Sequence, residues 1–200
     1  MILSDGEIEE AIRKKQIIID PAPVDTQYTT SALDLMLGQE IFELKSTAEL
    51  AAEEPPGVHR EIEVNPSEVD IREMLRKYAK PLPKRPDGSF LLLSARFVLG
   101  ITRERLDLPR ESKIAARVEG RSTLARLGLV VHLTAPTIHS GFSGHIVLEM
   151  YNFGAYPLRL YPGKLAICQL IFERLGKQPK GPVRTAYMNQ TSLLRRKKSR

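Results

Sequence analysis

His145-Ile146-Val147-Leu148-Glu149-Met150-Tyr151-Asn152 alternates with a period of two, placing His145, Val147, Glu149 and Tyr151 on one face and the apolar Ile146, Leu148 and Met150 on the other. A strand's side chains point alternately to opposite faces, so this is the pattern of a strand with one face on a core. Similar short segments surround it: Phe90-Leu91-Leu92-Leu93, Phe97-Val98-Leu99, Ile114 to Val118, Leu129 to Leu133, Leu158-Arg159-Leu160, and Ile167 to Phe172. Gly, Pro, Asn and Ser divide them. Many short strands at near-regular spacing predict a mainly β chain, folded as a sandwich or barrel.

Upstream of Ser89 the chain is more mixed. Ser4 and Glu7 form a capping-box pair, with Ile8, Ala11 and Ile12 at helical spacing, so a helix is predicted over 4–15. Ile17 to Asp20 reads as a strand ended by Pro21 and Pro23. Leu33, Leu35 and Leu37 alternate with Asp34 and Met36, and Gly38 is expected to break the run. Residues 45–60, with Pro55-Pro56-Gly57, read as a loop. Ser67 to Lys77 predicts a short helix whose apolar positions are Val69, Ile71, Met74 and Leu75.

Two hundred residues suffice for one domain with a substantial core. The lone cysteine, Cys168, rules out an intrachain disulfide and fits a cytoplasmic location. No apolar run reaches the ~20 residues of a membrane span. No basic-then-apolar leader is expected at the N-terminus. The formal charge of +6 is mostly a tail property, because Arg195, Arg196, Lys197, Lys198 and Arg200 all lie in the last six residues. That distribution is read as a solvated terminus rather than a nucleic-acid-binding face.

The residues bound the chemistry. A zinc-dependent deaminase needs a His or Cys near a Glu and then a Cys-x-x-Cys pair. One cysteine cannot supply it, and His59, His132, His139 and His145 show no paired ligand spacing, so no zinc is expected. There is no phosphate-binding Gly-rich fingerprint and no nucleophile elbow. Gly120-Arg121-Ser122-Thr123-Leu124-Ala125-Arg126-Leu127-Gly128 allows a short helix between an expected N-cap at Ser122 and a C′ glycine at Gly128, with free N–H groups, hydroxyls and two arginines suited to an anion. On spacing alone it reads equally as a capped surface turn. Glu149 alone likewise reads either as a surface carboxylate paired with a cation or as a desolvated general base.

Together the segments resemble the dCTP deaminase family, a branch of the trimeric dUTPase superfamily. The resemblance is carried by Val118 to Gly128, Val131-His132-Leu133-Thr134-Ala135, Gly141-Phe142-Ser143-Gly144-His145-Ile146-Val147-Leu148-Glu149, Pro157 to Gly163, and Ser31 to Gly38. It implies a distorted antiparallel β-barrel of the dUTPase-like (β-clip) type over residues 1–175, a homotrimer with sites between subunits, and a tail over 176–200 that closes on the nucleotide. It further implies a metal-free hydrolytic deamination of dCTP to dUTP and ammonia, with Glu149 as base and Ser122 and Arg126 holding the water and base ring. Arg121, Ser122 and Thr123, with Leu124 and Ala125 in the same block, would lie near the phosphates and their accompanying Mg2+. The backbone at Ala135 would read the pyrimidine. Gln169 matches a nucleotide contact, and Tyr187 and Gln190 match the closing tail. Inhibition by dTTP is also implied.

There are departures. Ile138-His139-Ser140-Gly141 stands where the family has Ile-Asp-Pro-Gly, so the position beside the deoxyribose carries His139 without a fixed negative charge. Cys168 stands in place of a Gly, and Ala186 stands where a basic residue is common. Two further readings stay open: a dUTP diphosphatase or bifunctional enzyme forming dUMP, and a non-catalytic deoxynucleotide-sensing trimer.

Overall fold

The computed structural model describes residues 1–53, 55, 63–181 and 192. In chain order the helices are α1 (Asp5–Arg13), α2 (Thr47–Glu53), α3 (Ile71–Tyr78) and α4 (Ser122–Ala125). The strands are β1 (Ile18–Asp20), β2 (Tyr28–Thr29), β3 (Ala32–Leu44), β4 (Ala79–Pro81), β5 (Phe90–Leu92), β6 (Phe97–Asp107), β7 (Ile114–Gly120), β8 (Leu129–Val130), β9 (Thr137–Ile138), β10 (Ser143–Asn152), β11 (Leu158–Leu160) and β12 (Ala166–Arg174).

The main sheet runs in the order β8-β10-β6-β3-β12-β7-β9, with β1 on β6 and β2 and β4 on β3; β5 and β11 form a separate ribbon. Every pairing is antiparallel. The fold is mainly β, as the alternating segments predict, and the sheet curls into a half-barrel around a core that includes Leu33, Leu35, Leu37, Leu148, Leu170 and Phe172. In β10 burial alternates strictly, with Ile146, Leu148 and Met150 inside and His145, Val147, Glu149 and Tyr151 half-buried.

The first helix begins where its capping box predicts. Ser4 Oγ accepts from the Glu7 amide and Glu7 accepts from the Ser4 amide, although the helix stops at Arg13 rather than 15. Three expectations change. Gly38 does not end its strand, since β3 runs on to Leu44. A Cβ there would meet the Ile101 carbonyl at 2.6 Å, so glycine permits β6 to approach closely beside a register shift between Leu37 and Ile41. Within 45–60, Thr47–Glu53 is helical. Ser46 and Glu49 cap each other's backbone amides, Lys45 pairs with Glu53, and Lys80 reaches Glu49. The third helix begins at Asp70, whose carboxylate accepts from the Arg72 and Glu73 amides, rather than near Ser67.

Candidate active site

Glu149 lies on β10 directly opposite Leu99 of β6. This pair is on the sheet face turned away from the core. In front of it is a cavity of about 500 Å3, lined from the sheet by Phe97, Leu99, Val147 and Glu149 and from the following loops by His132, Ala135 and His139. Burial pushes the Glu149 carboxyl above the ordinary carboxylate value. Its own backbone amide, the nearby His132 ring and the Leu133 amide act in the opposite sense, with less effect. A half-buried carboxyl with a raised pKa is a group able to take and return a proton. His145, on the same strand face, approaches the Thr102 carbonyl through Nδ1 at 3.1 Å. His132 Nδ1 is buried and makes no hydrogen bond to a described residue.

A second cluster forms at the ends of β3, β7 and β12. Arg121 donates to the carboxylate of Asp34, which is 4% exposed. Gln169 lies opposite both Asp34 and Glu119, and its amide donates to the Gly120 carbonyl at 3.2 Å. The chain then turns into α4. Here the expected N-cap is corrected: Arg121 occupies that position without a side-chain cap, and Ser122 is the first helical residue. With extended backbone at Arg121 and its side chain engaged by Asp34, the helix starts one residue earlier than the cap preference of serine implies. Ser122, Thr123, Ala125 and Arg126 are exposed, whereas Leu124 packs on the core. Gly128 follows with a positive φ of 87°, the left-handed conformation that favours glycine, but with the C-cap at Arg126 it stands one position beyond the expected C′.

The sequence candidates therefore separate into two groups. Ala135, His139 and Glu149 share one cavity. Arg121 and Gln169 share the other cluster, with Ser122 to Arg126 leading from it. None of Ser122, Thr123 or Arg126 lines the Glu149 cavity. His139, with Thr137, also borders a second cavity of about 580 Å3 that includes Arg117 and Glu173. Tyr187 and Gln190 lie outside the described residues. Sequence reasoning missed Asp34 as the partner of Arg121, and it missed His132 and α3 as cavity walls. His132 lay within a quoted segment, but nothing in its spacing marked it. Among the described residues, no cluster of three His, Cys, Asp or Glu side chains is placed to hold a metal ion. No helix among them is long and apolar enough to cross a membrane.

This mainly β half-barrel with a carboxylate-bearing cavity matches a known family. Residues 2–175 match the family model described as dCTP deaminase-like, and the chain belongs to that family. It is 34% identical over 190 residues to "dCTP deaminase, dUMP-forming" of Persephonella marina, covering 95% of this chain and 93% of that one. It is 36% identical over 178 residues to "dCTP deaminase" of Rhodospirillum rubrum, covering 88% and 83%. Its fold is similar to the crystal structure of 2'-deoxycytidine 5'-triphosphate deaminase from Agrobacterium tumefaciens, with a TM-score of 0.59 and 19% identity. That alignment covers 86% of this chain and 47% of the longer one.

Proposed function

We propose that this protein hydrolytically deaminates dCTP to dUTP and ammonia, with Glu149 as the general base. The observation that carries this reading is the half-buried Glu149 carboxyl, its proton affinity raised by burial, at the wall of a cavity in a chain of this family. Glu149 takes a proton from water as oxygen attacks C4 of the cytosine. The proton then passes toward the departing amino group, and ammonia leaves. Burial raises the proton affinity of the carboxyl, which suits a group that accepts the proton in the first step and holds it until the second.

Ser122 and Arg126 are assigned to holding the water and the ring. Because they lie outside the Glu149 cavity of their own chain, the reading places them in a site completed by a second copy, within a homotrimer. Arg121, Ser122 and Thr123 are assigned to the triphosphate side, Leu124, Ala125 and Gln169 to nucleotide contacts, Ala135 to the base edge and His139 to the sugar. The barrel is assigned to residues 1–175, and residues 176–200, with Tyr187 and Gln190, to the closing tail. Mg2+ would enter with the triphosphate and neutralise phosphate charge. Asp34 pairs with Arg121 in that cluster, and its second oxygen is buried without a described partner.

A second reading, release of dUMP, is favoured by the names of relatives such as the one from Persephonella marina. His139 weighs against it, because a fixed carboxylate at the sugar is absent. Incubation with dCTP and Mg2+, followed by separate assay of ammonia, dUTP and dUMP, tests both. Ammonia with dUTP supports deamination alone, and ammonia with dUMP supports the bifunctional route. Nucleotide binding without either product makes the protein a sensor. Adding dTTP to the same assay tests inhibition.

A further inference from the structure

The face of β6 and β10 in front of Glu149 is unusual for the outer side of a sheet. Phe97, Leu99 and Val147 are apolar, with Glu149 and His145 as the polar side chains beside them. A sheet face away from the core is ordinarily polar. Over this face stands α3, whose Ile71, Met74 and Leu75 recur at i, i+3 and i+4 and so share one stripe. The helix is held at its ends. Asp70 caps it at the start, and at its close the Lys45 amide donates to the Tyr78 carbonyl at 2.9 Å while β4 continues onto β3. No residue of α3 is fully buried, and Ile71 is 40% exposed. Its apolar stripe meets the Glu149 cavity instead of a packed core. A stripe of this composition facing a void of about 500 Å3 fits a ligand compartment of ordinary size.

The occupant follows from the edges of a cytosine ring, and the argument rests on the deaminase reading above. C4 with its amino group must face Glu149. C4 is bonded to N3 on one side and C5 on the other. N3 and O2 require polar partners, which the backbone along His132, Ala135 and His139 can provide. C5 and C6 bear only hydrogen and require none. The α3 stripe carries no hydrogen-bonding side chain. We propose that Ile71, Met74 and Leu75 form the wall of the pyrimidine compartment on the C5 side, and that Met74, central in the stripe, sets which 5-substituted pyrimidine nucleotides enter.

The test is binding selectivity, which does not depend on turnover. The affinities of dCTP and 5-iodo-dCTP, each with Mg2+, are measured by calorimetry for the full-length protein and for Met74→Ala, Met74→Phe and Leu75→Ala. Met74→Ala is expected to improve 5-iodo-dCTP relative to dCTP about tenfold, the scale of a changed apolar pocket contact, and Met74→Phe to worsen it. Leu75→Ala supplies an enlarging variant should Met74→Ala fold poorly, as judged by thermal melting. Ratios unchanged within twofold in the folded variants overturn the proposal. So does a change in sedimentation mass without a change in selectivity, which would make the stripe a contact with another copy. If dCTP binds but releases no ammonia, the reaction reading fails while the selectivity result still judges α3. If dCTP does not bind the unaltered protein, both fall.

Discussion

Arg121 on the turn into α4 donates to Asp34 of β3, a residue 87 positions earlier. The pair ties the start of the Arg-Ser-Thr block to a central strand, so the guanidinium is oriented before any ligand arrives. Asp34→Asn is expected to cost about 1–3 kcal/mol in stability and to weaken triphosphate binding more than it slows the chemical step. Urea unfolding and separate KM and kcat values check this. An unchanged KM would remove the pair from the phosphate side of the site.

Glu149→Gln is expected to abolish ammonia release while dCTP binding survives. The amide keeps the volume but cannot take a proton, and loss of a positioned base typically costs at least about 10²–10⁴-fold. Near-normal turnover in this variant would sink the assignment of the base.

The same substitution has a stability signature. Burial raises the pKa of Glu149, and also that of Glu104, which is 1% exposed and accepts hydrogen bonds from the Met36 amide and Gln27. A carboxyl whose folded pKa is raised contributes stability below its unfolded pKa, near 4.5, and that contribution is lost as pH rises through the folded pKa. Glu149→Gln should therefore gain melting temperature relative to the parent as pH rises from about 4.5. Parallel melting curves across that range would contradict a desolvated Glu149.

A site shared between copies predicts complementation. Arg126→Ala should cripple turnover with little effect on melting, because the side chain is exposed. Mixing inactive Arg126→Ala and Glu149→Gln chains, unfolded and refolded together, should restore about a quarter of the parental activity through random assortment of copies. No recovery in assembled mixtures would place Glu149 and Arg126 in one chain's site.

Much of this was legible in the linear chain. Alternation in 145–152 gives the strand and the face of Glu149, because strand side chains point up and down by turns whatever surrounds them. The Ser4–Glu7 capping box locates α1 for a similarly local reason. Local rules were less informative where a neighbour distant in sequence decides. Gly38 looks like a strand end until Ile101 is seen pressed against it. Thr47–Glu53 is a different case, because it carries a local signal, the Ser46–Glu49 capping box, within a stretch of loop-like composition, and Lys80 from β4 adds a long-range pairing to Glu49.

The candidate residues divide in the same way. Period and residue type are enough for the mainly β class, for the short turn of helix between Gly120 and Gly128 and for the face on which Glu149 stands. It takes the folded chain to show that Asp34 holds Arg121, that His132 lies near Glu149 and that α3 roofs the cavity. Desolvation depends on which distant segments fold over a carboxyl. The raised proton affinity of Glu149 is therefore a property of the assembled walls, which no spacing along the chain encodes.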